Sequence, residues 1–304
     1  MASEATPAAA ADTDGVLSRF LLERSGLRGV HVRLDAAWQA IRARAEYPEP
    51  VAALLGEACA AAAMFTGHVK VDGRLSIQLR GSGALRTLFA ECTSQGRLRG
   101  LARFEEPLPE PLDPRHFGAD SMLAITIENT LGVQREPQRY QGLVALDARS
   151  LAEAFEGYFG QSEQLPTRIL LAADGARACG LILQQLPGAS EEPDAWPRAQ
   201  ALFDTLGRDE LLALPAETLL YRLFHEEGVR LLQQDALAFG CSCTRARVGG
   251  MLLSLGRQEA FDSLQEDGRV EVICEFCGQH YHFDPVDLEQ LFAGGGSDTA
   301  GTVQ

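Results

Sequence analysis

The sequence predicts an α+β fold in three parts: a mixed-sheet N-terminal domain over residues 15–187, an acidic, helical, metastable linker over 188–235, and a small four-cysteine zinc domain over 236–293. Three observations predict it. Strand-like alternation broken by only a few helical periods fills the chain from about Val16 to Leu186, which favours α+β over a βαβ array. Pro187, Pro193 and Pro197 then mark a change of composition. Finally, four of the seven cysteines form a C-x-C pair, Cys241 and Cys243, and a C-x-x-C pair, Cys274 and Cys277, thirty residues apart.

Residues 1–14 and 294–304 are Ala/Ser/Thr/Gly-rich with no apolar period and are expected to be disordered tails. In GVHVRLD, Val30, Val32 and Leu34 alternate as on a half-buried strand. AAWQAIRARAEY and PVAALLGEACAAAAMF predict two helices, the second Ala-rich with Pro50 near its start. RLSIQL, RTLFAEC, RLRGLARF, MLAITIE and YQGLVALD predict strands separated by Gly, Asn, Asp and Pro. SLAEAFEGYF has a helical period behind Ser150 as N-cap. RILLAAD and RACGLILQQ predict a hairpin around Asp174-Gly175.

Residues 191–240 hold ten acidic and four basic side chains. Two short helices are expected there, from Pro197 to Gly207 and from Pro215 to Gly228, with proline at the start and glycine at the end. Leu219, Leu220, Leu223 and Phe224 share one face of the second, a stripe that predicts packing on the neighbouring domain. Helices this short are marginal without tertiary support, so the linker is expected to unfold easily. The C-terminal block ends in FDPVDLEQLF, a helix with Asp284 as N-cap, Pro285 at N1 and Asp287 at N3.

The 304 residues carry a net charge of −15 with 46% apolar side chains, so a sizeable core can form. The acid excess argues against nucleic acid or an anionic membrane as partner, since both demand clustered Lys and Arg. No uninterrupted apolar run suggests a membrane span. The first residues lack a basic and then apolar leader, which predicts a cytoplasmic protein in a reducing compartment.

An odd number of cysteines there is not a disulfide framework. Cys59, Cys92 and Cys179 stand singly in apolar stretches, as small buried hydrophobes do. The paired four satisfy one tetrahedral zinc ion fully, at about 2.3 Å per sulfur, which makes a closed, structural centre. Arg245 and Arg247 could offset the charge of four thiolates. His280 and His282 are expected at the surface or behind the ligands rather than on the metal.

A block under about 60 residues cannot usually hold itself together by core burial alone. Structural zinc supplies on the order of 10–16 kcal/mol of binding energy that is also folding energy. If both pairs were oxidised the ligands would be lost, and two loops this short would return only about 4 kcal/mol together. The oxidised block is expected to unfold, which makes a redox switch plausible.

Other motifs fail on inspection. GSGALR (81–86) lacks the third glycine of a dinucleotide loop and leads into a strand. His225-Glu226-Glu227 with Cys274 and Cys277 imitates a zinc deaminase, but two further cysteines would close the open position that chemistry requires. A thiol–disulfide oxidoreductase using C-x-x-C is the competing functional class. It requires a thiolate at a helix N-terminus, whereas Cys274 follows the strand-like VEVI.

FGCSCTRARVGGMLLSLGRQE (239–259) and EVICEFCGQHYHFD (271–284) resemble the zinc domain of the bacterial redox-regulated heat-shock chaperone of about thirty-three kilodaltons, the 33 kDa chaperonin family. YFGQSEQLPTRI (158–169), RFLLERSGLRGVHVRL and the segment from Tyr47 to Gly83 resemble its N-terminal half. The resemblance spans roughly residues 16–293 and implies an ATP-independent holdase, not an enzyme, that binds unfolding client proteins. It further implies one zinc ion on Cys241, Cys243, Cys274 and Cys277 in an inactive, monomeric reduced state. Oxidation to Cys241–Cys243 and Cys274–Cys277 disulfides is then expected to release zinc, unfold the linker and yield an active homodimer.

Overall fold

The computed structural model describes residues 15–69, 71–129, 138–185, 188, 192–265 and 268–294. The expected tails, Gly294 apart, and the boundary residue Pro187 lie outside these. The chain divides into two compact units, residues 1–240 and 241–304.

The first unit contains two sheets. One comprises β1 (Gly15–Leu22), β2 (Leu27–Leu34), β8 (Thr167–Ala173), β9 (Ala178–Gln185) and β10 (Val229–Ala236), in the antiparallel order β10-β1-β2-β9-β8. The other comprises β3 (Gly73–Arg80), β4 (Leu85–Thr93), β5 (Arg97–Phe104), β6 (Met122–Asn129), β7 (Gln138–Val144) and β11 (Ala238–Phe239), in the order β11-β5-β4-β3-β6-β7 with only β11 parallel to its neighbour. Two further helices, α1 (Ala36–Arg42) and α3 (Leu151–Tyr158), pack on them. Ser150 caps α3 by accepting from the Glu153 amide, and Asp174 closes the β8–β9 turn by accepting from the Ala176 and Arg177 amides.

Helix α2 (Glu49–His68) touches strands of both sheets and is buried along nearly its whole length. Its alanines explain how two sheets can share one helix. Small residues meet small residues: a Cβ on Gly100 of β5 would lie 2.8 Å from the Cys59 sulfur, and one on Gly180 of β9 would lie 3.3 Å from that of Met64. By length and composition α2 is apolar enough to cross a membrane, contrary to the expectation that no such stretch exists, yet 83% of that window is buried in the unit. A helix apolar on every side is buried on every side.

The acidic segment forms α4 (Ala195–Phe203), α5 (Arg208–Ala213) and α6 (Ala216–Phe224). They cover the face of the first sheet turned away from α2. Leu219, Leu220, Leu223 and Phe224 join Phe203, Leu206 and Leu211 against Phe20, Leu22, Leu27, Leu181 and Leu183 in a second apolar cluster. Arginines add polar ties: Arg208 to Glu57 of α2 at 2.7 Å, Arg168 of β8 to Asp204, and Arg33 and Arg177 to the Leu212 carbonyl.

Four elements depart from the sequence expectations, the first being α5, a third short helix in an acidic segment where two were expected. Strand β1 carries no clean alternation, because both its faces are covered, by α2 on one side and α4–α6 on the other. The helix expected over 36–47 stops at Arg42, and the chain then delivers Tyr47, whose hydroxyl accepts from the Ala102 amide at 3.4 Å, against the core. Residues after Gly228, within the stretch expected to be helical, form β10. Gly228 has φ +72 and ends the preceding turn, and β10 is held by pairing with β1 while most of its side chains face outward.

In the second unit α7 (Arg245–Leu255), α8 (Arg257–Asp262) and α9 (Pro285–Gly294) pack on a hairpin of β12 (Val270–Ile273) and β13 (His280–Phe283). Its core is small: Val248, Leu252, Ala260, Val270, Phe283 and Leu288 are the fully buried apolar side chains among the described residues. Asp284 and Asp287 cap α9 reciprocally, each carboxylate accepting from the other's amide.

Candidate metal centre

The four paired cysteines converge at one end of the second unit. Cys241 and Cys243 lie on the loop before α7, whose N-cap Thr244 accepts from the Arg247 amide. Cys274 and Cys277 lie on the turn between β12 and β13. That turn closes through amide-to-carbonyl bonds from Gly278 to Cys274 at 2.7 Å and from Cys274 to Gln279 at 2.9 Å. Gly278 adopts φ +70, which only glycine enters freely.

All four sulfurs lie within 4.8 Å of one another. Cys241 and Cys274 are 3.7 Å apart and Cys243 and Cys277 3.3 Å, so close approaches join the two halves. A tetrahedron with metal–sulfur bonds of about 2.3 Å has edges of about 3.8 Å, close to what the thiols already occupy. These separations also far exceed the ~2.05 Å of a disulfide, so the cysteines are thiols rather than disulfide-bonded. The donor set fits a metal with four thiolate ligands.

The surroundings favour negative charge on one of the thiols, Cys243, and oppose it on two others. Burial raises the Cys243 thiol, but hydrogen bonds from the Tyr281 hydroxyl, 3.1 Å away, and from the neighbouring thiols outweigh it and bring the group down to about 7. Burial pushes Cys277 up to about 12, with the Gln279 amide opposing. Cys241 is likewise raised, chiefly by burial, against a bond from the Cys243 amide. Cys241, Cys243 and Cys277 thus hold their protons unequally, and a metal that demands thiolates must displace those that remain.

The two arginines act as braces. Arg247 donates to the Ser242 carbonyl and hydroxyl at 2.9 and 2.7 Å, fixing the Cys241–Cys243 loop. Arg245 reaches the His282 carbonyl and Asp287 and stacks over Phe283 at 4.2 Å, tying α7 to β13 and α9. His280 and His282 stand outside the thiol cluster, half-exposed beside Glu271. Tyr281 is the site residue that sequence spacing did not mark. Alternation along HYHF could have found it, since it sets Tyr281 opposite to the two histidines.

The remaining cysteines are inert. Cys59, Cys92 and Cys179 are buried, and burial raises all three thiols, Cys92 and Cys179 to about 12. The rejected motifs stay rejected. A Cβ on Gly81 would sit 1.8 Å from the Leu85 carbonyl oxygen, and the Gly83 amide donates to Phe117, so this loop is a packed turn into β4. Cys274 follows β12, not a helix N-terminus.

A family model described as Hsp33 protein matches residues 15–284. A protein named 33 kDa chaperonin from Pseudomonas savastanoi pv. phaseolicola is 45% identical over 295 residues, 95% of this chain and 96% of its own. One of the same name from Pseudomonas aeruginosa (strain LESB58) is 45% identical over 286 residues, 92% and 95% of the two chains. The crystal structure of the 33 kDa chaperonin (heat shock protein 33 homolog) from Thermotoga maritima matches the fold with a TM-score of 0.76 at 22% identity, covering 94% of this chain and all of that one.

Proposed function

This chain belongs to the Hsp33 family, and from that premise we propose that it is a redox-regulated, ATP-independent holdase of the cytoplasm rather than an enzyme. The observation that carries the proposal is the convergence of four cysteine thiols in a unit with a very small core. Zinc held by Cys241, Cys243, Cys274 and Cys277 would supply the missing folding energy and lock the reduced, monomeric protein.

Oxidation then removes the ligands. Cys241 would pair with Cys243 and Cys274 with Cys277, each pair of thiolates giving two electrons to one peroxide, which takes up two protons from solvent and leaves as two waters. Neither disulfide replaces what four metal bonds contributed, so residues 236–293 unfold. The linker, 188–235 in functional terms, is attached directly to the lost unit and follows.

Its release would uncover the sheet face bearing Phe20, Leu22, Leu27, Leu181 and Leu183, now beneath α4–α6. An apolar sheet face of that size suits unfolding client proteins or a second copy of the chain, in keeping with a homodimeric active state. Zinc release followed with a chromogenic chelator during peroxide treatment at mild heat, with aggregation of a heat-unfolded client assayed on the same samples, tests the proposal. One zinc lost per chain together with holdase activity, both reversed by reductant, is expected. Turnover of a small disulfide substrate without aggregation suppression would instead identify the C-x-x-C pair as an oxidoreductase.

A further inference from the structure

The hairpin that carries Cys274 and Cys277 at its tip has a second face. In the β12–β13 register Glu271 lies opposite His282, and Ile273 opposite His280. Side chains alternate across a strand. Val270 and Phe283 therefore turn into the core of the unit, with Tyr281 on their side against Cys243, while Glu271, His280 and His282 share the outer face. His280 Nδ1 is 2.7 Å and His282 Nε2 3.8 Å from the same Glu271 oxygen, and the two imidazoles stack with centroids 6.3 Å apart. One ligand atom from each of the three residues lies within 4.8 Å of the other two.

We infer that Glu271, His280 and His282 form a second metal site, which takes a divalent borderline cation such as zinc in a two-imidazole, one-carboxylate set with an open position for water. Nitrogen and carboxylate ligands at about 2.0–2.2 Å define donor separations of about 3.3–3.5 Å in tetrahedral geometry. The Glu271–His280 pair must open slightly to reach that value. The side chains are free to make the adjustment, since 53% of His280, 51% of His282 and 30% of Glu271 is exposed. Imidazole nitrogen and carboxylate oxygen are both ordinary ligands for such a cation, and the Glu271 carboxylate faces these two rings, so a bound ion would also answer its charge.

The site is distinct from the thiol centre in every ligand and weaker in kind. Three ligands open to solvent on one side give fast, reversible binding where four thiolates give a closed cage. Because Glu271 and the histidines lie on different strands, the site exists only while β12 and β13 are paired. A bound ion is therefore a cross-strand staple, and by mass action it stabilises the hairpin.

The test uses the full-length reduced protein preloaded with one zinc, titrated calorimetrically with zinc chloride. A second equivalent with micromolar affinity is expected. His282→Leu and His280→Gln should each weaken it at least about tenfold, the loss of one ligand in three, while the first zinc stays bound. That first zinc is read separately as metal released by a mercurial thiol reagent. Glu271→Gln, which keeps the shape of the hairpin, should weaken the second equivalent alone and serves if a histidine variant fails to hold the first. The absence of a second equivalent up to about 100 μM zinc, or one unchanged in the variants that retain the first, overturns the inference.

Discussion

Arg198 of α4 forks onto Glu227, its Nε and Nη2 lying 2.6 and 3.2 Å from the two carboxylate oxygens. Glu227 is 3% exposed and sits in the turn after α6, so one contact joins both ends of the helical layer over the first sheet. Hydrogen bonding by Arg198 holds the Glu227 carboxyl below the usual range against the opposing effect of burial.

Arg198→Ala leaves that carboxylate buried without its main counter-charge and should loosen α4–α6 while zinc stays bound. The expected result is faster proteolysis within residues 195–227 and a first thermal transition lowered by several degrees, with holdase activity already measurable under reductant. Glu227→Gln, which keeps an acceptor, should do less. Equal protease resistance of wild type and Arg198→Ala would remove the clasp from the account.

Metal removal should act on the second unit and on the linker attached to it, and spare the rest of the first unit. Six fully buried apolar side chains cannot match the on the order of 10–16 kcal/mol that four thiolates and zinc contribute. Chelation, or Cys274→Ser, should therefore abolish dispersed amide signals from residues 241–294. Those of α2 and the six-stranded sheet should remain. Native-like dispersion of the second unit without metal would show that its core suffices.

Tyr281→Phe deletes the one non-cysteine side-chain donor to the Cys243 sulfur among the described residues. Groups that hold a metal ligand in place typically govern affinity by about ten- to a hundredfold, so zinc should bind about tenfold more weakly in chelator competition. The thiolate also loses a bond that tempers its nucleophilicity, so peroxide should release zinc faster than from wild type. Unchanged affinity and rate would reduce Tyr281 to packing.

The thiol centre was legible because its chemistry is written in spacing: four sulfurs in two close pairs bring their own geometry. Ser150, Asp174, Asp284 and the stripe from Leu219 to Phe224 were legible for the same local reason. Strands β1 and β10 were not. β1 has both faces covered, which removes the period that identifies a strand, and β10 is largely exposed and owes its form to a partner more than 200 residues earlier. The pairing of Glu271 with the two histidines depends on hairpin register, which spacing alone does not supply.

His31 links acidity to the same helical layer. It lies on β2 in step with Leu27 and Gly29, on the sheet face that α4–α6 cover, 1% exposed and with Nε2 unpartnered. Burial, with a smaller contribution from Arg33, lowers its proton affinity to about 4 from the ordinary 6.5. Between those values the unfolded chain holds a proton that the folded chain refuses, so stability falls as pH drops below about 6.5 and levels out below about 4. At pH 5 the loss is about 2 kcal/mol for this residue alone. His68, buried near Arg28 and likewise lowered to about 4, adds a comparable amount. Denaturant midpoints of the reduced protein should fall between pH 7.5 and 5, and His31→Asn should flatten roughly half of that slope. Amides of α4–α6 should lose protection from exchange over the same range in wild type but less in the variant. An identical slope in both proteins would mean that His31 is solvated when the layer is closed, contrary to its burial here.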